Sequence, residues 1–370
     1  MVGAIKSLFQ RGGGSLLGVE LSPEEIAVAQ VKQQGSGIKL EQYATIAMPE
    51  GAMEEGRILD PDLVGMTLTE LLEDRKIKPG PVASAIPGRE VIVRLLKLSA
   101  DLSDGDLRQV VLQQEAELYI PFDRDAADID YQILGVEADE DGTPQREVLL
   151  VATPKEVVDN YLEALRAANL QPRCIEPASF SILRSIQSQL PLSRQEAVAV
   201  VAINYESTEI NIVVAGVPQF TRTIAMGTLQ MQDVLGQALN TPASSTGPLL
   251  QSLKLPIVRA DDSAMGEIQS GSSSAAGTAV ARVLTELAEE IQRSIDFYAN
   301  QENSATVSQI LLAGSGTIVR QIDLFFSQQL NLTVQLANPL SGVTLPASVE
   351  VPEERQAAVG VAIGLGMREF

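Results

Sequence analysis

The chain has 370 residues, 45% hydrophobic and 20% charged, an ordinary globular composition that excludes disorder throughout. Its 48 acidic residues against 27 basic ones leave a net charge of −21, which argues against nucleic acid as a partner. There is no histidine, and the single cysteine, Cys174, cannot form an intrachain disulfide. Histidine-based acid–base and nucleophile chemistry is therefore excluded, and a lone thiol suits a reducing cytoplasm.

The first residues, Met1–Gly14, carry Lys6 and Arg11, with Val2, Ile5, Leu8 and Phe9 at loosely helical spacing. This stretch is too short for the apolar core of a signal peptide; it reads as a plain terminus or a weak contact with anionic lipid. No apolar run approaches the ~18 residues of a membrane helix, so a soluble cytoplasmic protein is expected.

Leu16–Leu21 is an apolar run stopped by Ser22-Pro23, followed by Ile26–Val31, a Gly35-Ser36-Gly37 turn and Ile38–Thr45. Val198–Ile203 stops at Asn204-Tyr205 and is followed by Ile210–Val214, an Ala215-Gly216 turn and Val217–Ile224. Each set is a three-stranded meander, and its recurrence predicts two similar lobes. A helix over Pro61–Asp74 and a strand over Val82–Ile86 follow the first. A helix over Val280–Ala299 and a strand over Val307–Ala313, running into Gly314-Ser315-Gly316, follow the second. The fold class is accordingly α/β, with a mixed sheet in each lobe.

Gly88–Pro172 reads as an inserted α/β module. It has a strand at Val91–Leu98, a helix capped by Ser103 and running toward Leu118, a hairpin of Tyr131–Glu137 with Arg146–Thr153, and a helix over Lys155–Ala168. Asn240–Thr278 is rich in Ser, Gly, Ala and Pro and is expected to be a mobile surface loop. Asp139–Gly142 mimics a calcium loop, but its frame puts Val148 where the bidentate acid belongs, so it is a hairpin turn. Asp261-Asp262 is read as a solvated pair, and no glycine-lysine phosphate loop is present.

The candidate site is the pair of meander turns with the Gly314 loop. Tight turns expose backbone N–H groups that suit phosphate, and a strand-end carboxylate can hold Mg²⁺ through water. Glu20, Ser22, Asn204, Ser207 and Thr208 occupy such places, and Gly314-Ser315-Gly316 allows close approach of a base or ribose.

Several segments resemble the PilM family of type IV pilus assembly proteins, FtsA-related members of the actin-like ATPase superfamily. They are Leu16–Val31, Glu41–Val64, Gln113–Leu134 with its Tyr-Ile-Pro-Phe element, Ile310–Val319 and Ala337–Val343. The resemblance implies an actin-like (ribonuclease H-like) two-lobed fold with an inserted 1C subdomain. Its divisions would be a tail at 1–14, lobe 1A at 15–87 with 173–196 and 356–370, and 1C at 88–172. Lobe 2A would take 197–235 with 306–355, and subdomain 2B 236–305. It also implies ATP or ADP with Mg²⁺, bound by Glu20, Ser22, Asn204, Tyr205, Ser207, Thr208, Gly314, Ser315 and Gly316. Glu20 and Glu176 would lie near the metal, Glu176 on the connecting helix. Asn204 and Tyr205 stand where the superfamily has aspartate and glycine, which implies weak ATPase activity or none. The implied partner is the cytoplasmic N-terminal tail of PilN, held in a groove beside Tyr119, Ile120, Pro121 and Phe122, with pilus motor ATPases and the PilO/PilC platform as further contacts. Peripheral association with the inner membrane, self-association and a role in twitching motility complete the implication. The alternatives are an actin-like ATPase or small-molecule kinase and an FtsA-like filament former.

Overall fold

The computed structural model describes residues 16–34, 37–138, 141–242, 245–257, 275–301, 304–347 and 349–368. The segment 1–14, Gly35-Ser36, Asp139-Glu140 and residues 258–274, Asp261-Asp262 among them, lie outside the described residues.

Both halves open with the expected meander. β1 (Leu16–Leu21), β2 (Glu25–Gln34) and β3 (Gly37–Ala47) are antiparallel neighbours. A small ribbon, β4 (Met53–Glu54) with β5 (Arg57–Ile58), precedes β6 (Pro81–Ile86), which pairs with β1 in parallel. Within the insertion lie β7 (Ile92–Ser99), β8 (Ala127–Ala138) and β9 (Pro144–Pro154), and β10 (Gln171–Pro177) then joins β6 in parallel. The second half repeats the plan with β11 (Glu196–Ile203), β12 (Thr208–Val214) and β13 (Val217–Ile224), then β14 (Thr306–Ala313) and β15 (Thr333–Leu336). The orders β10-β6-β1-β2-β3 and β15-β14-β11-β12-β13 match strand for strand, with the same sense at every pairing. β1 and β11 are buried along almost their whole length, as central strands with neighbours on both sides must be.

Three boundaries differ from the sequence reading. The sequence reading puts the helix Lys155–Ala167 in the inserted module, but its Val157, Tyr161, Ala164 and Leu165 pack into the first-lobe core against the helix Pro61–Asp74. Tyr161 Oη donates to the Gly56 carbonyl (3.1 Å), anchoring it there. The module proper is the sheet β7-β9-β8 with the segment Asp104–Tyr119, whose middle turn, Val110–Glu115, is wound as a π-helix. Secondly, β16 (Val343–Thr344), expected in the second lobe, pairs with β3 of the first. Thirdly, the 235/236 division cuts the helix Thr228–Leu239.

The 240–278 stretch is also more ordered than a mobile loop where it is described. A short helix, Gly247–Leu250, follows Thr246, and Leu250, Leu253 and Leu255 are buried against the long helix Ala275–Ala299. Composition signalled a linker, but those three leucines supply apolar area enough to hold the segment down.

Two helices run between the lobes: Ala178–Ser185, which links them, and Gly360–Gly366 near the C-terminus. Their side chains form one cluster with Ala83 and Ala85 of β6 and with Val198, Val200 and Ala202 of β11. The helices touch backbone to backbone, because a Cβ on Gly364 would lie 1.9 Å from the Ser181 carbonyl oxygen. Gly364→Ala gains about 1 kcal/mol of helix propensity but overpacks this crossing by about 1–3 kcal/mol or more. A net loss of stability is expected in equilibrium urea unfolding.

Candidate functional site

The two meander turns are built alike. β1 and β2 close with Leu21 opposite Ile26, and β11 and β12 close with Ile203 opposite Thr208, so four residues form each loop. In each, the first loop residue donates its N–H to the carbonyl of the fourth: Ser22 to Glu25 (3.0 Å) and Asn204 to Ser207 (2.9 Å). Ser22 Oγ accepts from the Glu25 N–H (3.1 Å) and donates to the Glu25 carbonyl (2.8 Å), so its hydroxyl locks the turn. The Asn204 and Tyr205 carbonyls accept the N–H groups of Thr228 and Leu229 (2.9 and 2.8 Å), fixing the second turn to a helix N-terminus.

Both turns line one cleft between the lobes. Glu20, Ser22, Asn204, Tyr205, Ser207, Gly314 and Ser315 of the sequence-derived set meet there, with the start of the C-terminal helix at Gly360 and Val361. Two members of that set do not. Thr208 is fully buried and donates its hydroxyl to the Met226 carbonyl (2.7 Å). Gly316 packs on the Ile203 side chain, where a Cβ would lie 2.4 Å from Cγ2. Gly314 takes φ +85°, and its missing Cβ leaves room for the Ile203 carbonyl. These two glycines seat the loop on β11; the lining atoms come from Gly314 and Ser315.

The cleft is acidic. Glu20, Glu24, Glu25, Glu55 and Glu206 line it, with Arg89 the cation among the lining residues and already paired to Glu55 (2.8 Å). Burial, reinforced by Glu25, pushes Glu20 up to about 8, against a hydrogen bond from the Ala362 N–H and the Arg355 charge. Burial also raises Glu24 above the ordinary glutamate range. Arg355 is ion-paired with Glu25 at the edge of this group. Sequence reasoning missed Glu24 and Arg355; the Glu24-Glu25 dipeptide at the turn was the available signal.

A second chamber, of about 200 Å³, continues from the first and shares Glu24, Glu25, Ser315 and Ala358 with it. Thr228, Gln232, Gly247, Leu250, Ile318 and Arg355 add to its wall. Thr228 Oγ1 is buried with no hydrogen-bond partner among the described residues.

Magnesium and nucleotide fit this donor set in outline. No cluster of three metal-ligating side chains occurs among the described residues. Mg²⁺ needs none, since it keeps several waters and takes one or two carboxylates together with phosphate oxygens. Glu20, desolvated and facing the cleft, is such a carboxylate.

Glu176 is not, which corrects the expectation. It lies on strand β10, not on the connecting helix, and does not line the cleft. Arg184 takes both its oxygens (2.6 and 2.9 Å), Ser181 donates a further bond (2.6 Å) and Arg368 pairs with it. Arg184 also donates to the Gly364 carbonyl (2.8 Å), tying the carboxylate to the crossing of the two helices. Burial opposes ionisation of Glu176, but the two guanidiniums outweigh it and hold its pKa below the usual glutamate value. Its stabilisation is complete above pH ~4.5 and is lost as the pH falls through the depressed native pKa. Glu176→Gln is expected to cost about 3–5 kcal/mol at neutral pH by leaving buried guanidinium charge uncompensated. Urea midpoints measured from pH 7 to pH 3 should show the gap between variant and parent narrowing toward acid.

A groove of about 380 Å³ separates the inserted module from the first lobe. Asp128, Ile129 and Asp130 of β8 form one side, Arg173–Pro177 of β10 the other, and Val158 and Leu162 contribute from the helix between. Burial pushes the Cys174 thiol in its wall up to about 11, so the thiol stays protonated and unreactive. Tyr119, Ile120, Pro121 and Phe122 do not line this groove, contrary to expectation. Ile120 turns into the module's own core and Tyr119 is 40% exposed. The helix ends at Tyr119, and the chain reaches β8 only at Ala127.

Known structures share this architecture. A PilM–PilN type IV pilus biogenesis complex superposes with a TM-score of 0.79 at 21% identity, covering 96% of this chain and 98% of that one. The ethanolamine utilization protein EutJ from Carboxydothermus hydrogenoformans gives 0.54 at 11% identity, over 96% and 90%. MreB5 of Spiroplasma citri bound to ADP gives 0.52 at 9% identity, over 94% of each. At these identities the likeness establishes the fold, which is the actin-like two-lobed α/β fold. The sequence itself matches the family model described as type IV pilus assembly protein PilM over residues 18–247 and 279–370. Since that match takes in both twin turns, the module and the two helices between the lobes, the chain belongs to the PilM family of type IV pilus assembly proteins.

Proposed function

We infer that this chain is a scaffold of type IV pilus assembly that holds the extended N-terminal cytoplasmic tail of a PilN partner in the groove between module and first lobe. The carrying observation is that this groove lies between two open sheet edges, because β8 ends the module sheet and β10 ends the first-lobe sheet. An edge strand offers unpaired N–H and C=O groups to an extended peptide, and side pockets then read alternate side chains. Ile129, Val158 and Leu162 supply apolar wall, while Asp128 and Asp130 suit a cationic peptide end. Among the described residues no helix is long and apolar enough to cross a membrane. Attachment to the inner-membrane platform then runs through the bound tail, with PilO/PilC and the motor ATPases as more distant contacts.

Leu162 is half-buried in the groove wall, so Leu162→Asp places a charge where the tail docks. A labelled PilN tail peptide is expected to lose at least about tenfold in affinity to this variant by fluorescence anisotropy. Thermal unfolding in parallel checks that the fold is intact, and undiminished binding by a folded variant contradicts the groove.

The cleft, on the same reading, takes ATP or ADP with Mg²⁺. The Ser22–Glu25 and Asn204–Ser207 turns face the phosphates, Glu20 holds the metal's water shell, and Ser315 meets the ribose. Asn204 gives the second turn no carboxylate, and charge neutralisation with a positioned water is what turnover requires. Binding is therefore the role, and hydrolysis is weak or absent. Glu20, with a pKa of about 8, is largely protonated at pH 7, and an arriving cation makes it ionise. Calorimetry at pH 7 in two buffers of different ionisation enthalpy should show about one proton released per Mg-nucleotide bound. Glu20→Gln should abolish the release, and equal apparent enthalpies in the two buffers for the parent chain would argue against Glu20 as the metal's carboxylate.

A further inference from the structure

The chain enters and leaves the inserted module at one end. Ile92 opens β7 opposite Ala152 of β9, and Ala127 opens β8 opposite Pro154, after which the helix Lys155–Ala167 returns to the first lobe. Two neighbouring crossings, at 87–91 and 154–155, therefore join the module to the first lobe like the two leaves of a hinge. The groove lies at this same end, with Asp128–Asp130, Val151 and Thr153 of the module facing β10.

Leu149, Val151 and Thr153 alternate along β9 and so share one face of the module sheet. Leu149 clusters with Val93 and Leu134 of the module and with Val213 and Val217 of the second lobe. Val151 and Thr153 carry the same face onward as a wall of the groove. The second lobe thus sets the plane of that wall, although the opposite side of the groove belongs to the first lobe.

One buried polar contact fixes the hinge end from the second lobe. Glu209 on β12 is 2% exposed and accepts the Gly88 N–H. The approach needs glycine, since a Cβ on Gly88 would lie 2.3 Å from Glu209 Oε2. Glu209 Oε1 accepts from Asn211 Nδ2 (3.2 Å), and Asn211 Oδ1 accepts from Thr221 Oγ1 (3.0 Å). A row of hydrogen bonds therefore runs from β13 across β12 to the turn by which the chain enters the module. These donors are neutral, and burial outweighs them, raising the Glu209 carboxyl above the ordinary glutamate range. Leucine, of similar size, would bury there without that penalty. What the carboxylate adds is direction, because a hydrogen bond constrains both distance and angle.

We propose that Glu209 is a positioning residue for the partner tail: acting from the second lobe through the Gly88 N–H, it holds the module at the angle that shapes the groove. The inference rests on the reading of the groove as the tail's site and deepens it. Glu209 does not line the groove; it acts through the turn that begins at Gly88 and delivers Val91 to the groove wall. Without the acceptor the hinge end tilts more freely, and the tail must then order it on binding, which weakens affinity.

Three variants of the full chain test this, by fluorescence anisotropy with a labelled PilN tail peptide and by urea unfolding in parallel. Glu209→Leu is expected to fold and to bind the peptide about tenfold more weakly than the parent. Glu209→Gln keeps an oxygen for the Gly88 N–H and should restore affinity to within about twofold of the parent. A folded Leu variant that binds like the parent overturns the assignment, and so does a Gln variant as weak as the Leu variant. Gly88→Ala leaves every buried polar group in place and pushes the carboxylate from its seat, so it should also lose about tenfold. It decides the question where the Leu variant fails to fold, because parent-like affinity in Gly88→Ala overturns the assignment. Affinity losses that merely follow the urea midpoints across all three variants assign Glu209 to stability alone and overturn it too. A parent chain that binds no tail peptide removes the groove reading together with this assignment, whereas tight parent binding with indifferent variants removes this assignment alone.

Discussion

Two helices pass between the sheets so closely that the Ser181 carbonyl occupies the space of a side chain on Gly364. That contact sets the distance between the lobes. It also places the start of the C-terminal helix, Gly360 and Val361, at the floor of the cleft. Beneath the crossing, Arg184 joins the Gly364 carbonyl to Glu176 on β10. Removing the acid from this arrangement strands guanidinium charge in a low dielectric, and removing the glycine forces the helices apart. The arrangement is costly to perturb, which is what a rigid mount for two opposed turns requires.

The cleft carried by that mount combines backbone geometry suited to anions with side chains that repel them. The matched turns present a symmetric pair of loops, yet Glu20, Glu24, Glu25, Glu55 and Glu206 surround them. Burial keeps Glu20 and Glu24 from ionising in the ordinary range, which relieves part of the repulsion. Arg355 is ion-paired with Glu25 and so offsets one of these negative charges.

Much of this was legible in the residues. Alternation and turn chemistry located the meander strands, and the recurrence of three runs with four-residue turns located the cleft. Burial decided what periodicity could not. The apolar face of Lys155–Ala167 marked it as a packed helix, but no pattern states which core a helix faces. The two-residue strand Val343–Thr344 is too short to carry any period. Glu176 reads as a site acid only through the resemblance to the superfamily's connecting helix, whereas its partners Arg184 and Arg368 lie 8 and 192 residues away, beyond the reach of any local pattern. Thr228 and Gln232 are ordinary polar residues on an amphipathic helix, and only the cavity beside them distinguishes them. Tyr119–Phe122 stands out for its composition, but none of its residues lines the groove, and Ile120 packs into the module's own core.

The C-terminal pass of the chain touches both sheets in quick succession. β15 ends in the second sheet at Leu336 and β16 enters the first at Val343. Six residues, 337–342, therefore form a leash between the lobes, with a reach of roughly 20 Å even when fully drawn out. Wide parting of the lobes at this margin is forbidden by covalent length alone. The leash therefore caps the separation of the two sheet edges it joins, whatever the helices between the lobes allow elsewhere.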